Sequence, residues 1–307
     1  MEQCETNPIN YEVLQPPNES EDSILSLQIK LFMPLKIPIF VIVYNRFWCL
    51  KRCLASLAPC GQEIVLINNG SDYKPFLDWL ATQPYQVIHL PKIHNPGQLY
   101  GSIREGVRRW LDAQQDPTID AYVVTDPDVE LEHPESDWVR LMYLGLQHFS
   151  KAECVGSALR TDDIPDYYPL KEYAKRTEDK NKRYPIAQWN NVPVRRSRID
   201  TTLAMYRPGF SKTGISQHAI RMHGPCMARH LDWYLNPRRL TPDQIHYFKT
   251  SGRLTHFGGV LLHNTIKRLS VKPRPKTRKQ PTALGKQRTK KRAAILAKIA
   301  DNMQKKS

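Results

Sequence analysis

The stretch Ala121-Tyr-Val-Val-Thr-Asp-Pro-Asp128 joins an apolar, β-branched run to two carboxylates. A run of this kind is typical of a strand buried in the middle of a sheet. Asp126 and Asp128 are two positions apart, so in an extended chain their side chains point to the same side. Two such oxygen donors suit Mg²⁺ or Mn²⁺, which can hold a diphosphate. The alternative is that Asp-Pro-Asp only forms the turn that closes the strand.

Three earlier segments show a similar pattern of an apolar, strand-like run followed by helical spacing. The predicted strands are residues 37–44, 62–67 and 86–90. Apolar residues recur at helical spacing after each of them, beginning near Phe47, Phe76 and Leu99. Alternating strands and helices favour right-handed parallel crossovers. The predicted fold class is therefore α/β, with a Rossmann-like, mostly parallel sheet flanked by helices.

Polar residues at the predicted strand ends are expected to line one edge of this sheet. They are Asn45, which also fits the N-cap of the first helix, residues 68–72, residues 95–97 and the two aspartates. This edge is where open α/β sheets bind nucleotides. No Gly-x-Gly-x-x-Gly follows the first strand, and no Walker-type Gly-Lys-Ser/Thr occurs in the chain. The sequence therefore disfavours a nicotinamide-dependent enzyme and a P-loop ATPase.

Four short motifs stand in order at these strand ends: Val41-Ile-Val-Tyr-Asn-Arg46, Ile67-Asn-Asn-Gly-Ser-Asp72, Asn95-Pro-Gly97 with Gly106, and Thr125-Asp-Pro-Asp-Val129. In this order they resemble the nucleotide-binding half of family-2-like glycosyltransferases with the GT-A fold. The resemblance covers about residues 37–160 well and residues 198–260 more loosely. It implies an enzyme that transfers a sugar from a nucleotide-diphospho-sugar, with Mn²⁺ or Mg²⁺ held by the Asp-x-Asp motif. It also favours inversion at the anomeric carbon.

The resemblance implies roles for single residues. Tyr44 and Asn45 are expected near the base or ribose, Asp72 near the base, and Asp126 and Asp128 at the metal and diphosphate. The other residues assigned to the nucleotide-sugar are Arg46, Asn68, Asn95, Gly97 and Arg221. Many relatives carry acidic residues where this chain has Asn68-Asn69, which leaves the contacts to the base open.

The proton of an attacking acceptor hydroxyl needs a carboxylate to receive it. Asp200 is the first candidate for this base and Asp232 the second, while a strand cap is the alternative for Asp200. Arg221 can match phosphate and stabilise the leaving group. His230 is the first candidate for a third metal ligand, followed by His223 and His256, against the alternative of a packed or surface histidine.

The sequence divides into four regions. Residues 1–36 are predicted to be a flexible leader, 37–160 the nucleotide-sugar-binding half, 161–262 the acceptor-binding half, and 263–307 a basic and largely disordered tail. Residues 155–160, at the end of the nucleotide-sugar-binding half, and residues 200–206, inside the acceptor-binding half, suggest two further strands. Residues 161–198 lack clear periodicity, so we expect an acceptor loop or lid there.

The net charge of +15 comes almost wholly from the tail. Residues 264–307 hold fifteen Lys or Arg and one acidic residue, which leaves thirty basic and twenty-nine acidic residues elsewhere. Such a tail can bind an anionic membrane surface or a polyanion, or remain solvated without a fixed partner; no specific nucleic acid is expected. Residues 1–21 do not resemble a signal peptide, and no apolar stretch is long enough to cross a membrane. The expected location is cytoplasmic, with attachment to a membrane surface left open.

The leading functional hypothesis is a metal-dependent glycosyltransferase, with a saccharide, a lipid or a protein as the unknown acceptor. A nucleotidyltransferase is the second hypothesis, although it typically needs a Gly-rich basic loop that Tyr44-Asn-Arg-Phe47 does not supply. A protein that binds nucleic acid or an anionic surface through the basic tail is the third.

Overall fold

The structure, a computed structural model, describes residues 34–93, 96–179, 185–209 and 216–251. The predicted basic tail, most of the predicted leader, Asn95 and His256 lie outside these residues, so the expectations for them stay predictions. The helices are α1 (Phe47–Leu57), α2 (Lys74–Leu80), α3 (Pro96–Gln114), α4 (Trp138–His148), α5 (Lys171–Asp179) and α6 (Pro242–Thr250). The strands are β1 (Ile39–Val43), β2 (Ile64–Asn69), β3 (Gln86–Leu90), β4 (Tyr122–Thr125), β5 (Val129–Leu131), β6 (Cys154–Ser157), β7 (Ala187–Trp189), β8 (Val192–Ile199), β9 (Ala204–Tyr206), β10 (Ser216–Met222) and β11 (Ala228–His230).

Nine strands form one sheet in the order β3-β2-β1-β4-β9-β6-β10-β8-β7. The first four are parallel, with β1 between β2 and β4, as the alternation of strands and helices predicts. Beyond β4 the sheet is mixed, because β9 runs antiparallel between β4 and β6, and β8 runs antiparallel between β10 and β7. The α/β class with flanking helices is therefore confirmed, and the sheet itself is mixed.

The apolar run of β1 follows from its position inside the sheet. All five of its residues are buried because helices cover both faces. On one face, Val41 belongs to a core that includes Leu54 of α1 and Met142 of α4. On the other face, Phe40 packs edge-to-face on Trp110 of α3, with ring centroids 5.3 Å apart. The carboxyl ends of β1 and β4 are thus held rigidly at one edge.

The prediction of a long acceptor loop at residues 161–198 is wrong for much of that segment. It contains α5, β7 and most of β8, and β8 is an inner strand of the main sheet. Val192 and Val194 are buried on one side of β8, whereas Ser197 and Ile199 are buried on the other. This change of buried face breaks the alternation by which a strand is recognised in a sequence.

Two further predicted strands are shorter in the structure. The strand expected at residues 155–160 is β6, which ends at Ser157, and the strand expected at 200–206 is β9, which begins only at Ala204. Leu203 has a φ of +48°, a conformation that strands do not adopt. Residues 200–203 therefore form a bend that precedes β9. Within the residues that the structure describes, no helix combines the length and apolar character that crossing a membrane requires.

Candidate functional site

The Asp126-Pro-Asp128 motif forms the short connection between β4 and β5, at the carboxyl end of the parallel strands. Asp128 is buried, and its Oδ2 lies 3.0 Å from Nη2 of Arg46 and 3.3 Å from Nε2 of His230. Its backbone oxygen accepts a hydrogen bond of 2.7 Å from the N–H of Leu231. The side chain and the backbone of Asp128 therefore both contact residues that are distant in sequence.

A second small sheet brings His230 to this place. Strand β11 pairs antiparallel with β5, and the register sets His230 opposite Val129, the residue that follows Asp128. A 3₁₀ turn begins directly after β11 and buries Asp232 in its first half. The imidazole of His230 stacks on the ring of Trp233, with centroids 5.0 Å apart. This stacking fixes the plane of the imidazole beside the carboxylate of Asp128.

Asp128, His230 and Asp232 could together hold a metal ion. Each offers one ligand atom, and these atoms lie within 4.8 Å of one another. Among the described residues, these three form the group of His, Cys, Asp or Glu side chains whose ligand atoms lie close enough together to share a metal ion. The donor set of two carboxylates and one imidazole is compatible with divalent transition metals, including Mn²⁺. We call these three residues the Asp-His-Asp cluster.

Arg46 is the counter-ion of the cluster. Its Nη1 donates a 3.1 Å hydrogen bond to Oδ2 of Asp232, and its Nη2 contacts the other oxygen of that carboxylate. Burial opposes the charge of the guanidinium, but Asp128 and Asp232 outweigh burial and raise its pKa. For Asp128, burial is outweighed by Arg46 and His230, so its pKa is lowered. For Asp232, burial prevails over Arg46 and the pKa is raised.

Two tyrosines complete the surroundings of Arg46. The guanidinium lies over the ring of Tyr247 at 4.5 Å from the centroid, and Nη1 also donates to its hydroxyl at 3.1 Å. The hydroxyl of Tyr168 is buried and has no hydrogen-bond partner among the described residues. Its pKa is raised first by burial and then by Asp232, which places it near the cluster. A buried hydroxyl without a partner leaves room for a bound group to supply one.

Asp126 faces a different partner from Asp128. Its Oδ2 accepts a 2.6 Å hydrogen bond from Oγ1 of Thr201. Its backbone N–H donates a 2.9 Å hydrogen bond to the backbone oxygen of Thr201. Its pKa is raised by burial, by Asp128 and by Asp200, so its carboxylate lies close to both of these acids. The structure does not include Asp126 in the Asp-His-Asp cluster, and its role as a metal ligand stays a prediction.

Asp200 stands in the bend before β9. Its Oδ1 accepts hydrogen bonds from the N–H of Thr202 at 3.2 Å and from its hydroxyl at 2.9 Å. These contacts agree with the alternative that Asp200 caps a local turn, and they leave its second oxygen for other use. The sequence analysis proposed both Asp200 and Asp232 as candidate bases. The structure places Asp232 in the Asp-His-Asp cluster and Asp200 beside Asp126.

The predicted N-cap role of Asn45 is wrong. Helix α1 has Arg46 at its N-cap position, and the side chain of Asn45 crosses to the loop after β2. Its Oδ1 accepts from the N–H groups of Asp72 at 2.8 Å and Tyr73 at 2.9 Å, and its Nδ2 donates to Asp72 at 2.6 Å. Asn45 has a φ of +51°, which asparagine tolerates better than most residues. It therefore joins the ends of β1 and β2.

The other residues predicted near the base lie around this junction. Asn68 accepts a 3.0 Å hydrogen bond from the N–H of Ser71, and the hydroxyl of Tyr44 donates to the oxygen of Thr250 at 3.0 Å. The Asp72 carboxylate contacts Lys92 at 2.9 Å and His246 of α6 at 2.8 Å. The structure thus brings Tyr44, Asn45, Asn68 and Asp72 together. No local pattern in the sequence indicated Lys92 or His246.

Two residues predicted to bind the nucleotide-sugar lie elsewhere along the edge. Gly97 is in the first turn of α3. Arg221, on β10, donates from Nη1 to the oxygen of Ser157 at 2.7 Å and from Nε to the oxygen of Arg198 at 3.3 Å. Arg221 therefore holds backbone oxygens at the ends of neighbouring strands, apart from the Asp-His-Asp cluster.

The sequence reasoning missed that Tyr247 contacts Arg46, that Tyr168 lies near Asp232, and that Asp232 has a ligand-like position. A signal for Asp232 was present, since His230 and Asp232 have the same i, i+2 spacing as Asp126 and Asp128. The tyrosines lie in segments of mixed polarity, where nothing local distinguishes them from other aromatic residues.

A scan against models of protein families finds no match for this chain. A search among curated proteins likewise finds no significantly similar sequence. The class of the protein is therefore defined by its fold and its site: an α/β protein with a large mixed sheet and a buried Asp-His-Asp cluster that could bind a metal.

Proposed function

We propose that the protein is a glycosyltransferase that moves a sugar from a nucleotide-diphospho-sugar to an acceptor hydroxyl. The observation that carries this proposal is the Asp-His-Asp cluster at the carboxyl end of β4. Open α/β sheets bind nucleotides at this edge, and a metal held there can bind a diphosphate. The four ordered motifs of the sequence support the same function.

The residues of the cluster fit a divalent metal. Asp128 and Asp232 bring two negative charges into a buried place, and Arg46 supplies one positive charge. Buried charges need compensation, so the pair of carboxylates favours a further cation. The unpartnered hydroxyl of Tyr168 nearby offers a hydrogen bond to a phosphate oxygen or to a water. When bound, the metal would carry part of the charge that develops on the leaving diphosphate.

The protein's own residues would orient the donor and accept the proton. In the proposed reaction the bond from the anomeric carbon to the phosphate oxygen breaks as the acceptor oxygen bonds to that carbon. The acceptor proton passes to a carboxylate, and the nucleoside diphosphate leaves. Asp200 is our choice for this base because it is half-buried beside Asp126, with one oxygen left by its local hydrogen bonds. Attack from the side opposite the leaving group gives inversion.

The test is turnover of a panel of nucleotide-sugars by the full-length protein with Mn²⁺. Asp128→Asn should abolish both Mn²⁺ binding and turnover, because the substitution removes a buried ligand charge. Glu130→Gln is the matched control, since Glu130 follows two positions later but contacts Arg52 at 2.8 Å outside the cluster. Absence of binding and turnover with every donor in the unsubstituted protein would contradict the proposal.

A further inference from the structure

Two arginines face each other on adjacent strands of the main sheet. The register of β10 against β8 pairs Arg221 directly with Arg195. Like charges directly opposite on antiparallel strands are destabilising. Within the described part of the chain, neither side chain forms an ion pair with a carboxylate, although Glu178 lies near enough to Arg195 to act on its charge. Within the described residues, the positive charges of the two arginines are therefore not neutralised by an ion pair.

His223 adds an imidazole beside the two arginines. It follows the last residue of β10, and its N–H continues the pairing by donating to the oxygen of Pro193 at 2.9 Å. By the alternation of an extended chain it lies on the same side as Arg221. Burial lowers the pKa of His223 to about 4, with the charges of Arg195 and Arg221 as the next causes. Both guanidinium groups are thus close to the imidazole.

The Nε of Arg195 is buried and has no acceptor among the described residues. Arg221 is held in place by the 2.7 Å hydrogen bond that its Nη1 donates to the backbone oxygen of Ser157. Buried donors are normally satisfied, so an unsatisfied guanidinium group opposite a second one points to a missing anionic group.

We propose that Arg195, Arg221 and His223 form a binding site for a phosphate group of the acceptor. Guanidinium groups match the oxygens of phosphate, and the N–H of a neutral imidazole can donate to another oxygen. Burial lowers the pKa of Arg195 more than Glu178 raises it, so a bound anion would relieve the cost of its charge. The donor set thus favours an anion with several acceptor oxygens.

The position of this site separates it from the donor's diphosphate. Strands β6 and β10 run in the same direction as β4, so all three end at one edge of the sheet. The order β4-β9-β6-β10 places β10 three strands from β4. At ~4.8 Å per strand this is roughly 14 Å, farther than one diphosphate reaches. Assignment to the acceptor rests on the proposed transferase function, whereas phosphate binding itself does not.

The first experiment measures binding of inorganic phosphate to the full-length protein by calorimetry, without metal or nucleotide. Arg195→Gln and His223→Ala should each weaken binding, by about tenfold for the arginine, because one charge-assisted hydrogen bond is lost. His223→Ala leaves both guanidinium groups in place, so it tests the contribution of the imidazole alone. Arg196→Gln is the control, since Arg196 is the next residue along β8 and contacts His218 at 2.9 Å. Unchanged binding in both test variants, or no saturable binding at all, would overturn the phosphate site.

The second experiment separates the acceptor site from the donor site. Phosphate should bind with the same affinity when the protein is saturated with Mn²⁺ and a nucleoside diphosphate. Displacement of phosphate by the nucleotide would overturn the assignment to the acceptor. Failure of the transferase proposal would appear differently, as absent donor turnover with phosphate binding intact.

Discussion

The guanidinium of Arg46 lies 3.0 Å from the carboxylate of Asp128, and both side chains are buried. The same guanidinium contacts both oxygens of Asp232. One arginine from the end of β1 therefore holds together two carboxylates that belong to the candidate metal site. A metal ion that enters this site must share the carboxylates with Arg46, so the arginine stabilises the cluster before a metal binds.

Arg46→Met should lower the free energy of unfolding by about 3–5 kcal/mol, because two buried carboxylates lose their counter-ion. Saturating Mn²⁺ should recover part of this loss, since a ligand that binds only the native state stabilises it. Urea unfolding with and without Mn²⁺ measures both effects. Arg52→Met is the control: its half-exposed ion pair with Glu130 predicts a loss below about 1 kcal/mol. Equal losses in the two variants would contradict the role of Arg46.

Tyr168→Phe tests whether the unpartnered hydroxyl serves a bound group. Without metal, removal of a buried, unsatisfied hydroxyl should leave the protein as stable or more stable by about 1 kcal/mol. Affinity for a nucleoside diphosphate with Mn²⁺ should fall several-fold. Tyr206→Phe removes a hydroxyl that donates to the oxygen of Asp200 at 3.4 Å and should only destabilise. Calorimetry and thermal unfolding of both variants check this, and unchanged nucleotide affinity in Tyr168→Phe would count against it.

The depressed pKa of His223 predicts a dependence of stability on pH. The folded protein holds this imidazole neutral down to a pKa of about 4, whereas the unfolded chain protonates it near 6.5. The unfolded state therefore binds the proton first, and the contribution to stability is complete above 6.5 and lost as the pH falls toward 4. His223→Gln should show a shallower loss of stability between about pH 7 and pH 5. Parallel slopes for the two proteins in urea titrations would refute this cause.

Gly156 allows β6 to approach β9 closely. A Cβ at this position would lie 2.7 Å from the backbone oxygen of Leu203. Gly156→Ala should therefore cost about 1–3 kcal/mol, because the two strands must separate. Gly101→Ala in α3 is the matched control: a Cβ added there meets no atom of another described element within 4 Å, and we expect a gain of about 0.5–1 kcal/mol. Thermal unfolding of both variants decides, and a tolerated Gly156→Ala would disprove the close packing.

The parallel part of the fold could be predicted from the sequence because its signals are local. Strands β1 to β4 are short apolar runs, and the helices between them carry apolar residues at helical spacing. Parallel pairing and the position of Asp128 at the carboxyl edge then follow from the connections. Strand β8 could not be predicted in this way, because its buried face changes along its length.

The candidate site depends on contacts that no local pattern contains. The apolar run before Asp126 is enough to predict that Asp126 and Asp128 follow a buried strand, at the edge where an α/β sheet binds ligands. The pairing of β11 with β5 is visible only in three dimensions. It brings His230 and Asp232 to Asp128, while Asp126 turns to Thr201. Arg46 and Asp232 are 186 residues apart, and their contact exists because burial requires each charge to find a partner. Sequence spacing reports which residues share a strand or a helix, whereas burial and charge decide which of those elements meet.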